Sequence, residues 1–193
     1  MAKIKSIWFA SVLLLPSLLF AQNLVPFEQN ELHGFKNKSG KVVIPAQYIL
    51  ANEFNKQGVT FVLGKEGWKC IDQTNKFLLT PFIYDNGPDY EAEGLARFVE
   101  NKKIGFFNSA CQKKIEATYD FALPFENKFS VVCNGCKLIP IEEHSELQGG
   151  SYGVIDQKGK IVVPIEFDSV SIDPKKKSAT ALKGKTKKEI KLP

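Results

Sequence analysis

The sequence predicts an all-β fold, a tandem array of about four three-stranded meander units in a solenoid-like or curved sheet stack. Three observations predict it. A pattern of about 35 residues recurs four times, its apolar positions alternate with a period of two, and Gly, Asn, Asp and Pro bound every apolar run. Stacked units of this kind spread side chains over a surface and do not converge them on one pocket.

Before the first unit, Lys3 and Lys5 precede an apolar run from Ile7 to Phe20, and Ala21 follows as a small residue. The run is short for a membrane span of about 20 residues and is broken by Ser11, Pro16 and Ser17. Residues 1–21 therefore read as a cleavable signal peptide, and 22–193 as the mature repeat domain. Secretion or a periplasmic destination follows, with no stable membrane span after cleavage.

The units run over about 33–67, 68–103, 104–151 and 152–193. The first opens at His33-Gly34-Phe35 and reaches Pro45-Ala46-Gln47-Tyr48. The second opens at Trp68-Lys69-Cys70, with Lys69 in the glycine slot and one extra residue before Pro81, and reaches Tyr84. The third opens at Ile104-Gly105-Phe106 and reaches Tyr119 without a proline, Glu116 standing in its place. The fourth opens at Tyr152-Gly153-Val154 and reaches Pro164 and Phe167. The step aromatics lie 36, 35 and 48 residues apart, so the third unit carries an insertion, at 133–150.

Within each unit the turn after the opening strand holds Gly40, Asn75, Cys111 or Gly159, a slot suited to positive φ. The proline is expected to end its strand, because it donates no ladder hydrogen bond. A second-half strand follows in each unit, preceded in three of them by Phe54, Tyr90 or Phe125. Alternation from Lys183 to Leu192 fits a last hairpin turning near Gly184-Lys185.

This phased pattern resembles the WG-repeat proteins, whose unit opens on Trp-Gly and closes on Gly-Lys, an apolar triplet and Pro-X-X-Tyr-Asp. No unit here has both the Trp and the Gly. The resemblance implies a β-rich, often exported bacterial scaffold with no common catalytic activity, and it supplies no site residues.

Candidate sites were weighed against plainer roles. The recurring aromatics are expected in the core, with Trp68 the best candidate for an exposed ligand contact. Asp72, Asp85, Asp120, Asp156 and Asp168 recur with the repeat and suit turn capping. No catalytic constellation is found, so the chain is not read as an enzyme, and no cofactor or metal is called. Cys133, Cys136 and Cys111 are the disulfide candidates, and Cys70 is expected to be buried and free. Zinc held by Cys133, Cys136, His144 and a carboxylate is chemically allowed but less favoured than a disulfide.

His144, Glu142 and Glu143 in the insertion are the remaining possible ligand contacts. The full chain carries 26 basic and 21 acidic side chains. Eight lysines against Glu189 fall between Lys175 and Pro193, a net of +7, which leaves 22–174 at −4. No basic stripe for nucleic acid runs through the body, and the basic C-terminal tail is the part placed to touch anionic surfaces. The expected function is non-catalytic binding of a protein or cell-envelope component, centred on the insertion. A glycan-binding module using exposed aromatics, and a thiol-redox protein using Cys133 and Cys136, are the alternatives.

Overall fold

The computed structural model describes residues 23–141 and 144–193, with side chains from 146 onward in the second span. The leader expected at 1–21, Glu142, Glu143 and the His144 side chain lie outside the described residues. No described helix is long and apolar enough to cross a membrane.

The chain is all-β, and its sheets are open meanders. The first joins β1 (Val25–Gln29), β2 (Leu32–Lys36) and β3 (Val42–Tyr48). The second joins β4 (Leu50–Ala51), β5 (Val59–Gly64), β6 (Gly67–Asp72) and β7 (Phe77–Pro81). A small hairpin, β8 (Ile83–Tyr84) and β9 (Gly87–Pro88), leads to the third, β10 (Ala96–Glu100), β11 (Lys103–Phe107) and β12 (Lys113–Tyr119). The fourth starts with β13 (Phe121–Ala122) and β14 (Phe129–Asn134). It is interrupted by the hairpin β15 (Lys137–Ile141) and β16 (His144–Gln148), then completed by β17 (Ser151–Asp156) and β18 (Ile161–Phe167). The last is β19 (Ser169–Asp173), β20 (Ser178–Lys183) and β21 (Thr186–Lys191), turning at Gly184 as the alternation predicts.

These meanders are half a unit out of phase with the sequence repeat. The second-half strand of one repeat pairs with the opening strand of the next, as β5 does with β6 and β14 with β17. Four repeats therefore form five meanders, the first completed by β1, a strand the repeat pattern does not announce.

Four apolar clusters lie between successive meanders. Phe35 and Ile44 pack with Val62 and Ile71, and Phe106 and Ile115 pack with Val132 and Ile155. The outermost clusters are closed by single leucines at the chain's two described ends. Leu24 is 6% exposed and Leu192 is 3% exposed.

The turn slots behave as read, with φ of +84° at Gly40, +68° at Asn75, +52° at Cys111 and +78° at Gly159. Asp72 and Asp156 cap their turns, each Oδ1 accepting two backbone N–H bonds, at 2.8–3.0 Å for Asp72 and 2.9 Å for Asp156. The proline expectation needs correction. Pro45 and Pro164 lie inside β3 and β18, and only Pro81 ends its strand.

The reason is a β-bulge. His33 faces Tyr48 but Phe35 faces Ile44, and the same shift recurs between β17 and β18. A bulge leaves a residue unpaired, so a residue without an N–H costs nothing there. The third unit bulges identically around Glu116, with Ile104 facing Tyr119 and Phe106 facing Ile115.

Candidate ligand-binding surface

The glycine of the opening strand exists because the bulge lies on it. A Cβ on Gly34 would sit 2.5 Å from Ile44 O, one on Gly105 2.5 Å from Ile115 O, and one on Gly153 2.6 Å from Val163 O. Lys69 fills that slot in the second unit, where no backbone has room to cross. The chain accordingly departs. Thr80 and Pro81 of β7 pair with Val99 and Phe98 of β10, fusing two meanders into one seven-stranded sheet. Tyr84, whose counterparts return to the opening strand, pairs instead with Gly87 across the β8–β9 turn.

A second exchange accompanies the first. Phe54 and Phe125, six residues past their step aromatics, pack on Phe35 and Phe106 with ring centroids 4.7 Å apart in both pairs. In the second unit the corresponding positions are Cys70 and Tyr90. Cys70 forms a disulfide with Cys111 of the next meander, Cα atoms 6.6 Å apart, so it is buried but not free. Tyr90 is thereby left outside.

The core expectation for aromatics thus holds for Tyr119, Phe125 and Phe167 and fails for Tyr84 and Tyr90, which are 56% and 50% exposed. These two rings meet edge to face at 5.4 Å, and half-buried Trp68 donates its indole N–H to Asn86 O of the same turn at 3.2 Å. Ile83 beside them is also exposed.

Tyr90 is held outward by a group that repeat reasoning missed. Its neighbour Asp89 is buried and accepts bonds from Arg97 Nε at 2.8 Å, Nη2 at 2.7 Å and the Arg97 backbone N–H at 2.9 Å. Arg97 Nη1 donates to Ala122 O at 3.0 Å, and its guanidinium lies 4.3 Å over the Phe82 ring. A planar fork satisfies this site where an ammonium would not. The signal was present in the sequence: Arg97 is the only arginine among 26 basic residues, in an apolar strand.

From Tyr90 a groove runs between the fourth and fifth meanders. Its middle is a cleft of about 470 Å³ lined by Tyr90, Leu123, Phe125, Val131, Val170 and Ile172. An adjoining cleft of about 330 Å³ shares Leu123, Val131 and Val170 and reaches Tyr152 and Leu147 of the insertion hairpin. Leu123 on its wall is 46% exposed.

Of the insertion, whose predicted contacts Glu142, Glu143 and the His144 side chain lie outside the described residues, the structure shows an apolar strand. Leu138, Ile139 and Ile141 of β15 are exposed, an apolar surface on a hairpin that pairs only with itself. Cys133 and Cys136 are buried at its base and bonded to each other across Asn134-Gly135. The structure therefore pairs Cys111 with Cys70 and not with the insertion. Leu147 of the hairpin lines the groove, whereas Trp68 lies against the β8–β9 turn. Among the described residues, no three His, Cys, Asp or Glu side chains are grouped to hold a metal ion.

The model of the WG-containing repeat family matches residues 34–67, 70–103 and 152–173. The chain is a WG-repeat protein. No curated protein and no solved structure matches it. Residues 104–151, between the matches, contain Cys111, Glu116 and the insertion, yet β11 and β12 keep the bulge of the first and fourth units. The family model thus passes over a unit whose first two strands keep the repeat's backbone and whose insertion does not.

Proposed function

We propose that this WG-repeat protein is an exported, non-catalytic scaffold that binds a protein or cell-envelope component along the groove between Tyr90 and Leu147. One observation carries the reading. Apolar surface gathers into a continuous stretch where the repeat is broken, at the second unit's displaced rings, in the groove and on the insertion hairpin, whereas on the regular strands it is confined to separate residues such as Val42, Phe77 and Ile161. Exposed apolar patches of this kind mark interaction sites, and array insertions sit on loops that bind.

The test compares capture of an envelope component by the mature chain, by a variant lacking 137–149, and by Leu123→Asp. Both variants are expected to lose capture and keep the β circular-dichroism signal. Capture unchanged in both would overturn the proposal.

Exposure of Tyr84 and Tyr90 beside Trp68 favours a second reading, stacking of a glycan on these rings. Trp68 is the only tryptophan after the leader, so an envelope glycan that binds there would alter tryptophan emission directly. The thiol-redox reading is less supported, because the two sulfurs are buried and bonded to each other, with Cys133 on β14 and Cys136 just after it, away from any helix start that would favour a thiolate.

A further inference from the structure

The terminal meander carries charge in a way the rest of the array does not. In the body, 15 lysines and one arginine are outnumbered by 20 acids, and three of the lysines pair at short range: Lys69 with Glu66 at 2.6 Å, Lys103 with Asp120 at 2.7 Å and Lys113 with Glu100 at 2.5 Å. At the C-terminal end, Lys175, Lys176, Lys177, Lys183, Lys185, Lys187, Lys188 and Lys191 are all exposed. Of these, only Lys176 and Lys183 are ion-paired among the described residues, to Asp173 and Glu166, each at 3.8 Å.

The one acid of the segment, Glu189, is turned back onto the hairpin by a 2.9 Å bond from Ser178 Oγ. Ala179, Ala181 and Leu192 are buried beneath, so the charges are mounted on packed strands and not on a free tail. The turn at 174–177 and the tip at 184–185 put lysines at both ends of the hairpin; between them Lys187, opposite exposed Leu182, is on its outer face, and Lys188, opposite buried Ala181, is on the other.

We propose that the fifth meander is a docking face for an anionic lipid surface, which would hold the array end-on with its −4 body directed away. Eight exposed cations, of which two have partners at 3.8 Å, give up few ion pairs within the protein when they approach anionic headgroups and can keep their water at the interface. Attraction of this kind is electrostatic and short-ranged in salt. The proposal deepens the envelope reading by naming the surface, and it does not involve the groove.

The test is co-sedimentation of the full mature chain with vesicles of phosphatidylglycerol and phosphatidylcholine mixed, or of phosphatidylcholine alone. Binding is expected only to the anionic vesicles at about 0.1 M salt, and it should be largely lost at about 0.5 M. The variant K183Q/K185Q/K187Q/K188Q should lower partitioning by about 100-fold or more. A control variant K38Q/K41Q/K56Q, in the first unit, should leave partitioning unchanged.

Inorganic phosphate at millimolar level should not displace the protein. Displacement would show a phosphate site and overturn the surface reading. Equal binding to both vesicles, no binding to either, or an unaffected four-lysine variant would each overturn it as well. Lysine-dependent binding to duplex DNA without binding to vesicles would do the same. All these outcomes leave capture through Leu123 and the insertion to be judged separately.

Discussion

At the scale of single residues, glycine in the opening strand is a spatial requirement and glycine in the turn a conformational one. The two costs separate by mutation. Gly105→Ala would drive a methyl to within 2.5 Å of Ile115 O and 2.7 Å of Ala117 N, and should cost about 3 kcal/mol or more in urea unfolding. Gly40→Ala meets nothing within 4 Å and should cost only the positive-φ penalty of about 1–2 kcal/mol. Equal losses would refute the distinction. The turn slots were legible because Gly and Asn advertise positive φ, whereas Cys111 at +52° was legible only from its place in the repeat. The pairing of Asp89 with Arg97 was not legible, because burial of an ion pair depends on what the third dimension brings over it.

At the scale of elements, the bulge and the insertion hairpin each depend on few contacts. Asp120 links the third meander to the base of the insertion: Lys103 Nζ lies 2.7 Å from its Oδ1, and the Gly135 N–H donates to Oδ2 at 2.7 Å. The Lys103 bond, then the Gly135 bond, hold its carboxyl below the usual carboxylate range. A lowered folded pKa adds stability above the unfolded value, and that stability is lost as pH falls through the folded one. Asp120→Asn should therefore flatten the stability–pH curve from about pH 4 downward and lower stability at neutral pH. An unaltered acid limb in equilibrium unfolding would count against the link.

Within the regular units, strand existence was readable from alternation and turn chemistry. Strand partnership was not. A period of two says which residues share a face and nothing about whether a strand pairs forward or backward along the chain, which is why the half-unit phase and β1 emerged only in three dimensions. The proline was misread for a related reason, since a missing N–H is compatible with a strand end and with a bulge alike.

At the scale of the whole molecule, each core is shared by two meanders, so stability depends on neighbours staying in contact. The Cys70–Cys111 bridge covalently ties the second meander to the third and closes a loop with a sequence separation of 41. A loop of that length corresponds to about 4 kcal/mol of denatured-state entropy. Cys70→Ser/Cys111→Ser should lose stability of that order in guanidinium unfolding, with the loss absent when wild type and variant are compared under reductant. The cysteine count pointed to disulfides, but the partner of Cys111 depended on which strand the turn would overlie. The aromatic pattern was read correctly wherever the unit is regular. It failed in the second unit, where Lys69 and Cys70 together displace Tyr84 and Tyr90.

The half-unit phase has a practical meaning for dissecting the chain. A fragment cut at a repeat border, such as 68–103, takes β6 without β5 and leaves a sheet open along a line of unpaired amides. A fragment cut after a step aromatic, such as 120–168, keeps its meander whole. It follows that the piece of this protein to graft or to multiply, with a neighbour to cover its apolar face, begins just past one step aromatic and ends at the next. The repeat as written along the sequence is a reading frame offset from the part that folds.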